Sequence, residues 1–520
     1  MNHHTRYPFL RLLTTLLTFL VLGASAWHSA YARNQFSPHP VYGGNVSIRD
    51  IFGTDCIDPM NLNSGTEITL IADPLIAVDA HGRYQPSLAL GWKYSNGGKI
   101  LTLNLRRGVR FSNGHPFNAA ALKQNFEYLL EQPGALAPLE SVRVIDKYTL
   151  KLVYSAPFRA ALDTLTTFLP VDLAAERAQG NDACKAPIAT GPFKVSNVGP
   201  GFDPVTLVRN PYHTWESSWL RNKGGPYVSK VTVKTVVEDT QATSELLTGD
   251  LDLARVSPDQ LPRLQGESSI AIHRAPDVSD IFLGFNHAHA PFNNQAVRRA
   301  IAQSIDRKGL IKAAYGGLGV VDRSIVPPSD PYTDAAAGKY IPSFNPKQAA
   351  RVLRAHHVTG PFVLETYTIP VFNDTAQFIQ AELARVGIKV NLVVKAVSDA
   401  QVDMGKGQMD MYIDIWNSGN DLYSAFHSSQ TPANGAHNWN FMHDTSLDHL
   451  IVQARETISS GRARTILNNE QSYVNKHTVV VPLFTRELVS ATRSRVHDYH
   501  YVPGSNTLMW PAMSDLYVTK

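Results

Sequence analysis

DPLIAVDAHGRYQPSLALGWKYSNGGKILTLNLRRGVRFSNGHPFNAAALKQNFE, residues 73–127, is the stretch from which the fold is read. Apolar and polar residues alternate through Leu101, Leu103, Leu105 and Val109, the two-residue period of a half-buried strand. Asn96-Gly97-Gly98 interrupts that pattern with residues that tolerate positive φ, which predicts a hairpin turn. Asn118 can accept the free N–H groups at a helix start, and Ala121, Leu122, Phe126 and Leu129 follow at helical spacing. Tyr148–Val153 supplies another strand, so the reading is a small antiparallel unit with a helix.

Upstream, Asn45–Ile51 reads as a strand, and a helix is expected from Ser64 or Thr66 to Ala72. Downstream, Ile281–Tyr315 passes from a nearly continuous apolar strand (Ile281, Phe282, Leu283, Phe285) into two helices. Asn294 caps the first, in which Val297, Ala300, Ile301 and Ile305 face inward and Arg298, Arg299 and Gln303 face water. Asp306 opens the second, with Leu310, Ile311 and Ala314 inward and Gly316-Gly317 as its stop. Further on, helices are expected from Asn345, over Phe378–Val386 and over Ser446–Ile458. Strands are expected at Phe362–Tyr367, Ile388–Val394, Asp410–Trp416 and Val479–Leu483.

A chain of 520 residues is long for one core and predicts two or three domains. Hydrophobic residues at 43% supply those cores, and a formal net charge of +4 without a basic run argues against nucleic acid as a partner. Arg6 and Arg11 precede the apolar segment Leu12–Ala26, which is shorter than the roughly 20 residues of a bilayer span. It reads as a cleaved secretory signal, residues 1–32, with cleavage after Ala32 preferred over Ala26. No cysteine stands near either site to carry a lipid, so a soluble periplasmic protein is expected. Cys56 and Cys184 are the two cysteines; export permits a disulfide, and the alternative is a pair of buried thiols.

The chain holds no G-x-S-x-G, H-E-x-x-H, G-x-x-x-x-G-K or G-x-G-x-x-G, so an enzyme is not expected, although a secreted peptide or ester hydrolase stays open as an alternative of another class. Of 19 histidines, His287 and His289 are spaced to share a cation but read better as loop residues, and no metal site or cofactor is expected. The most suggestive site segment is Asp414–His427, DIWNSGNDLYSAFH. Trp416 ends an apolar strand at the kind of strand end where open α/β sheets place ligand contacts. Its ring offers a stacking face, Asn417 and Asn420 offer donors and acceptors, Asp421 offers a fixed negative charge, and Tyr423 follows on the same loop. Core packing for Trp416 and helix capping for Asp421 are the structural alternatives.

The order of residues 73–127 resembles the family of extracytoplasmic solute-binding proteins that serve peptide and nickel ABC transporters. Pro187–Phe193 (PIATGPF), Leu207–Trp215 (LVRNPYHTW) and Leu246–Leu253 (LLTGDLDL) are similar to further signatures of that family, and Ile281–Tyr315 to another. The resemblance implies a two-lobed α/β clamp with a small α/β domain inserted in the first lobe. Its expected limits are 33–75, 185–274 and 487–520 for lobe I, 76–184 for the inserted domain and 275–486 for lobe II. It also implies a monomeric receptor that takes a small molecule or peptide to inner-membrane ABC permeases. In peptide-binding members an aspartate at the position of Asp421 pairs with the ligand's α-amino group, and first-lobe contacts fall on Thr66 and Glu67. Nickel-binding members carry a tryptophan and a tyrosine in that loop. Trp416 keeps the first and Asn420 replaces the second, and Glu131–Leu139 lacks their arginine and tryptophan. A short peptide or peptide-like amine is therefore the expected ligand, with a metal chelate of nickel, opine or histidine type as the alternative.

Overall fold

The computed structural model describes residues 40–51, 53–60, 67–79, 81–132, 138–416, 422–434, 436–501 and 512–519. Two long antiparallel strands, Ile270–Phe285 and Val481–Arg493, form the spine of an eleven-stranded sheet. They pair from Ile270 opposite Arg493 to Leu283 opposite Val481, with a register shift between Pro276 and Asp280. Proline brings no N–H to the ladder, so a bulge there is the expected local solution. Strands Leu253–Val256, Asn45–Asp50, Lys230–Thr235, Val205–Arg209 and Phe193–Val198 extend the sheet on one side of this pair. Met411–Trp416, Phe362–Tyr367 and Val390–Lys395 extend it on the other.

The spine strands are longer than the apolar runs that announce them. Ile281–Phe285 is the fully buried end of a 16-residue strand whose first half, from Ile270, is only partly buried and carries His273, Arg274 and Asp277. Residues 275 and 486, the expected limits of the second lobe, fall nearly side by side here, because Ala275 pairs with Leu488 and Pro276 with Glu487.

Around the far end of the sheet lies the largest core, in which Ile281, Leu283, Val297, Ile301, Leu383 and Leu447 are buried. Asn294, Asp306, Asn345 and Asp444 each accept a backbone N–H at the start of a helix, which explains where those helices begin. Arg298 corrects the expectation that it faces water. It is buried and donates to the carbonyls of Phe292, His477 and Thr478, thereby closing the C-terminal end of the helix Ser460–His477. That 18-residue helix has no counterpart among the elements expected from the sequence. Its buried face mixes Ala463, Leu467 and Val474 with Glu470, Gln471 and Asn475, so no apolar period shows through. The helix expected from Phe378 begins earlier, at Pro370.

The hairpin in residues 73–127 is present. Strands Ala89–Ser95 and Ile100–Leu105 pair across Asn96–Gly98, and Thr149–Tyr154 and Leu139–Asp146 complete a four-stranded sheet. Gly97 has φ 62°, which its lack of a Cβ permits. Asn118 accepts from the amides of Ala120 and Ala121, and its helix Ala119–Leu130 lays Leu122 and Phe126 on the sheet. Phe126 stacks on Phe168 at 4.2 Å, and burial of each ring contributes roughly 2 kcal/mol. A disulfide joins Cys56 to Cys184 with a Cα–Cα distance of 4.5 Å.

Candidate functional site

Trp416 closes the strand Met411–Trp416 and pairs directly with Asp280 of the spine strand. Its ring is half-buried at the edge of the large core, 6.5 Å from Phe426. Asn417, Asn420 and Asp421 lie outside the described residues. The chain resumes at Leu422, and Tyr423 opens the short helix Tyr423–Phe426. The Tyr423 hydroxyl lies 3.1 Å from Ser429 Oγ, while the Arg455 guanidinium sits 3.9 Å over its ring. Arg455 also lies 4.9 Å from the ring of Phe158, which belongs to the core of the four-stranded sheet. Trp416 and Tyr423 are thus both half-buried and packed against the large core.

Bridging contacts missed by sequence reasoning lie next to Tyr423. The backbone N–H of Arg159 donates to the carbonyl of Arg455 at 2.7 Å, and its Nε donates to that of Ala454 at 3.0 Å. These acceptors end the helix Thr445–Glu456 and need such donors. No sequence signal marks Arg159, because its partners lie 295 residues away.

Glu67 occupies a different place. It precedes the helix Ile68–Ile71 and is buried, at 2% exposure, not the exposed acid that a helix-stabilising role alone would give. Burial, with Asp50 nearby, pushes its carboxyl up to about 7. Thr66 lies outside the described residues. The TGP turn holds this helix: Gly191 donates to the Ile71 carbonyl at 2.9 Å, and a Cβ on Gly191 would lie 2.4 Å from the Ile71 carbonyl carbon. Asn210 in turn donates through Nδ2 to Gly191 O and through its backbone to Pro192 O. The two signatures PIATGPF and LVRNPYHTW therefore act together as the mount of the Glu67 helix.

The histidine pair separates. His287 sits in the turn after the spine strand, as expected of a loop residue, half-buried with Nε2 2.9 Å from the Val479 carbonyl, and desolvation lowers its pKa to about 3. His289 instead meets Asp410 at 3.0 Å. Among the described residues no helix is long and apolar enough to cross a membrane.

Residues 83–437 match the family model for bacterial extracellular solute-binding proteins, family 5 Middle. The glutathione-binding protein GsiB of Salmonella choleraesuis is 24% identical over 451 residues, covering 82% of this chain and 86% of that protein. Among solved structures, the oligopeptide-binding protein AppA of Bacillus subtilis with a nonapeptide superposes with a TM-score of 0.78 at 19% identity, over 93% of this chain and all of that one. NikZ of Campylobacter jejuni with Ni(L-His) gives 0.75 at 18% identity, over 91% and 99%. The fold is that of a periplasmic binding protein, a mixed α/β clamp. By the span of the family match, the chain belongs to the bacterial extracellular solute-binding proteins, family 5, receptors that bind a small ligand and work with inner-membrane ABC permeases.

Proposed function

We propose that the protein is a periplasmic receptor for a short peptide or peptide-like amine, which it hands to an ABC importer without altering it. Residues 1–32 act as a secretory signal cleaved after Ala32 or Ala26, and the mature protein carries no lipid. Lobe I comprises residues 33–75, 185–274 and 487–520, residues 76–184 are inserted in it, and lobe II comprises 275–486. The observation that carries the reading is the placement of Trp416. It is half-buried at the end of its strand, beside the spine that joins the two halves of the sheet, where rotation about the spine would open or shut a ligand cleft. Asp421, five residues on, supplies the carboxylate for the ligand's amino group, and Asn417, Asn420 and Tyr423 supply polar and aromatic contacts. Thr66 and Glu67 approach from the first lobe. Peptide relatives such as AppA and the glutathione-binding GsiB support this ligand class.

Closure follows from differential affinity. A ligand that touches both lobes binds the closed state better and shifts the population toward it, and the permease distinguishes that state. Incubation of the purified protein with a peptide mixture, followed by denaturation and mass spectrometry, should recover intact peptides. Steady release of fragments would instead mark a hydrolase. Asp421→Asn should weaken peptide binding by at least about tenfold, since a charge-assisted hydrogen bond in a dry cleft contributes roughly 1.5–3 kcal/mol. Unchanged affinity would remove Asp421 from the amino-group role. A metal chelate is the second reading, favoured by the match to NikZ with Ni(L-His) and by the retained Trp416. Metal analysis of the material released on denaturation distinguishes the two.

A further inference from the structure

We infer that Asp414 is a ligand-contacting residue that selects solutes carrying a cationic side chain, beside the amino-group contact assigned to Asp421. This rests on the reading that the ligand lies against Trp416. Asp414 and Trp416 are two residues apart on one strand and so project to the same face of the sheet. Asp414 is half-buried, so solvent reaches it although protein surrounds it. Its Oδ1 accepts from the Tyr367 hydroxyl at 2.9 Å, which fixes the carboxyl's position. Tyr367 is buried, so the tyrosine anchors Asp414 from within the protein.

The surroundings lack a countercharge. Among the described residues no lysine, arginine or histidine forms an ion pair with Asp414, whereas the neighbouring acids that have cations use them elsewhere. Arg486 pairs with Asp277, and Arg307 lies near Asp322. Asp280, directly opposite Trp416 in the adjoining strand and on the same face, is fully buried with both carboxyl oxygens unpartnered among the described residues. Tyr412 and Tyr367 are the other titratable groups next to Asp414. Burial raises Asp414 to about 7, against hydrogen bonds from the Ile415 amide and the Tyr367 hydroxyl that lower it. A guanidinium or ammonium group arriving from the ligand would supply the missing positive charge and hold the carboxylate ionised. An anionic ligand group would meet a carboxyl floor.

Trp416, half-buried on the same face, offers an apolar ring for the stem of such a side chain. Phe282, paired with Asp414, and Phe426, near Trp416, are buried and back this face. A lysine or arginine side chain buries its methylenes against surfaces of this kind while its head group reaches a carboxylate.

Calorimetric titration of the full mature chain with three probes tests this: the tripeptide Ala-Lys-Ala, its norleucine analogue Ala-Nle-Ala, and glutathione. The wild type should bind the lysine peptide at least about tenfold more tightly than the norleucine peptide, with glutathione weaker than both. Asp414→Asn should erase that preference and leave the norleucine affinity within about twofold. Tyr367→Phe, which keeps the ring and the packing, should reduce the preference partially. Trp416→Ala should weaken both alanine-flanked peptides alike. Equal wild-type affinity for lysine and norleucine peptides overturns the inference, as does an Asp414→Asn variant that retains the preference. Unaltered binding by Trp416→Ala would remove the underlying site reading instead. A circular-dichroism melt matching wild type qualifies each variant for comparison. If Asp414→Asn fails to fold, Tyr367→Phe decides, and an unchanged preference in that variant counts against the inference.

Discussion

Arg298 shows how one side chain can join two helices that sequence proximity does not relate. Its guanidinium is buried and satisfies carbonyls at Phe292, His477 and Thr478, and burial lowers its pKa to about 10. The group still keeps its charge at neutral pH, so three charge-assisted bonds offset the cost of desolvation. Arg298→Ala should destabilise the protein by about 3 kcal/mol, because buried carbonyls at a helix terminus lose their donor. Arg298→Lys should recover only part of that loss, since an ammonium cannot reproduce the planar fork. Urea unfolding midpoints at constant slope measure both, and a loss below about 0.5 kcal/mol for alanine would show that the fork adds little.

At the level of elements, the helix Leu173–Gln179 and the turn around the disulfide are tied to the first strand region by buried groups. Glu176 is buried, its Oε1 accepts from the Ile188 amide at 2.7 Å, and Asp58 and Asp172 stand nearby. Desolvation first, then repulsion from Asp58, pushes its pKa up to about 8, while the Ile188 hydrogen bond opposes the rise. The folded state therefore retains a proton that the unfolded chain releases near 4.5. Between those two values the native state binds more protons, so the stabilisation from this group is complete below about 4.5 and is lost as pH rises toward about 8. Glu176→Gln imitates the protonated form and can still accept from Ile188. Thermal melts should place the variant level with wild type near pH 5 and above it at pH 8, by a few kcal/mol at most. Equal melting temperatures at pH 8 would show that Glu176 titrates as an ordinary acid. The disulfide closes a separation of 128 residues in the same region, a long loop whose closure in the unfolded state lowers its entropy.

Across the whole molecule, the unit built on the four-stranded sheet meets a helix of the large core away from the spine strands. Arg159 links the unit built on the four-stranded sheet to the helix Thr445–Glu456, and a Cβ on Gly98 would lie 2.4 Å from Ile458, so the backbone there closely approaches the segment after that helix. Arg455 spans Phe158 and Tyr423 at the same contact. Under the proposed hinge closure, such a contact would favour the closed arrangement. Arg159→Ala should speed ligand dissociation several-fold with little change in association rate, read by stopped-flow fluorescence. A slower association at unchanged dissociation would instead place Arg159 in ligand capture.

The local features of the fold were legible because the forces that make them act over a few residues. The Asn96–Gly98 hairpin, the caps at Asn118, Asn294 and Asp306, and the buried run Ile281–Phe285 each follow from side chains within about one turn of the chain. The spacing of signatures from residue 73 onward then carried the family and hence the fold class. Trp416 could be singled out for the same local reason, as a large aromatic at the end of an apolar strand. The remainder depended on distant partners. Burial of Arg298 requires the helix Ser460–His477, whose polar inward face conceals it from periodicity. The bond from Tyr367 to Asp414 joins positions 47 residues apart, and the Arg159 contact joins positions 295 apart. Polar side chains such as these are placed by hydrogen-bond partners that exist only once the chain has folded. Sequence by itself determined where strands turn, where helices start and which family the chain joins; tertiary structure alone decided which ionisable groups are buried, because a buried ionisable group is tolerated where folding brings it a partner or its pKa shifts to keep it neutral.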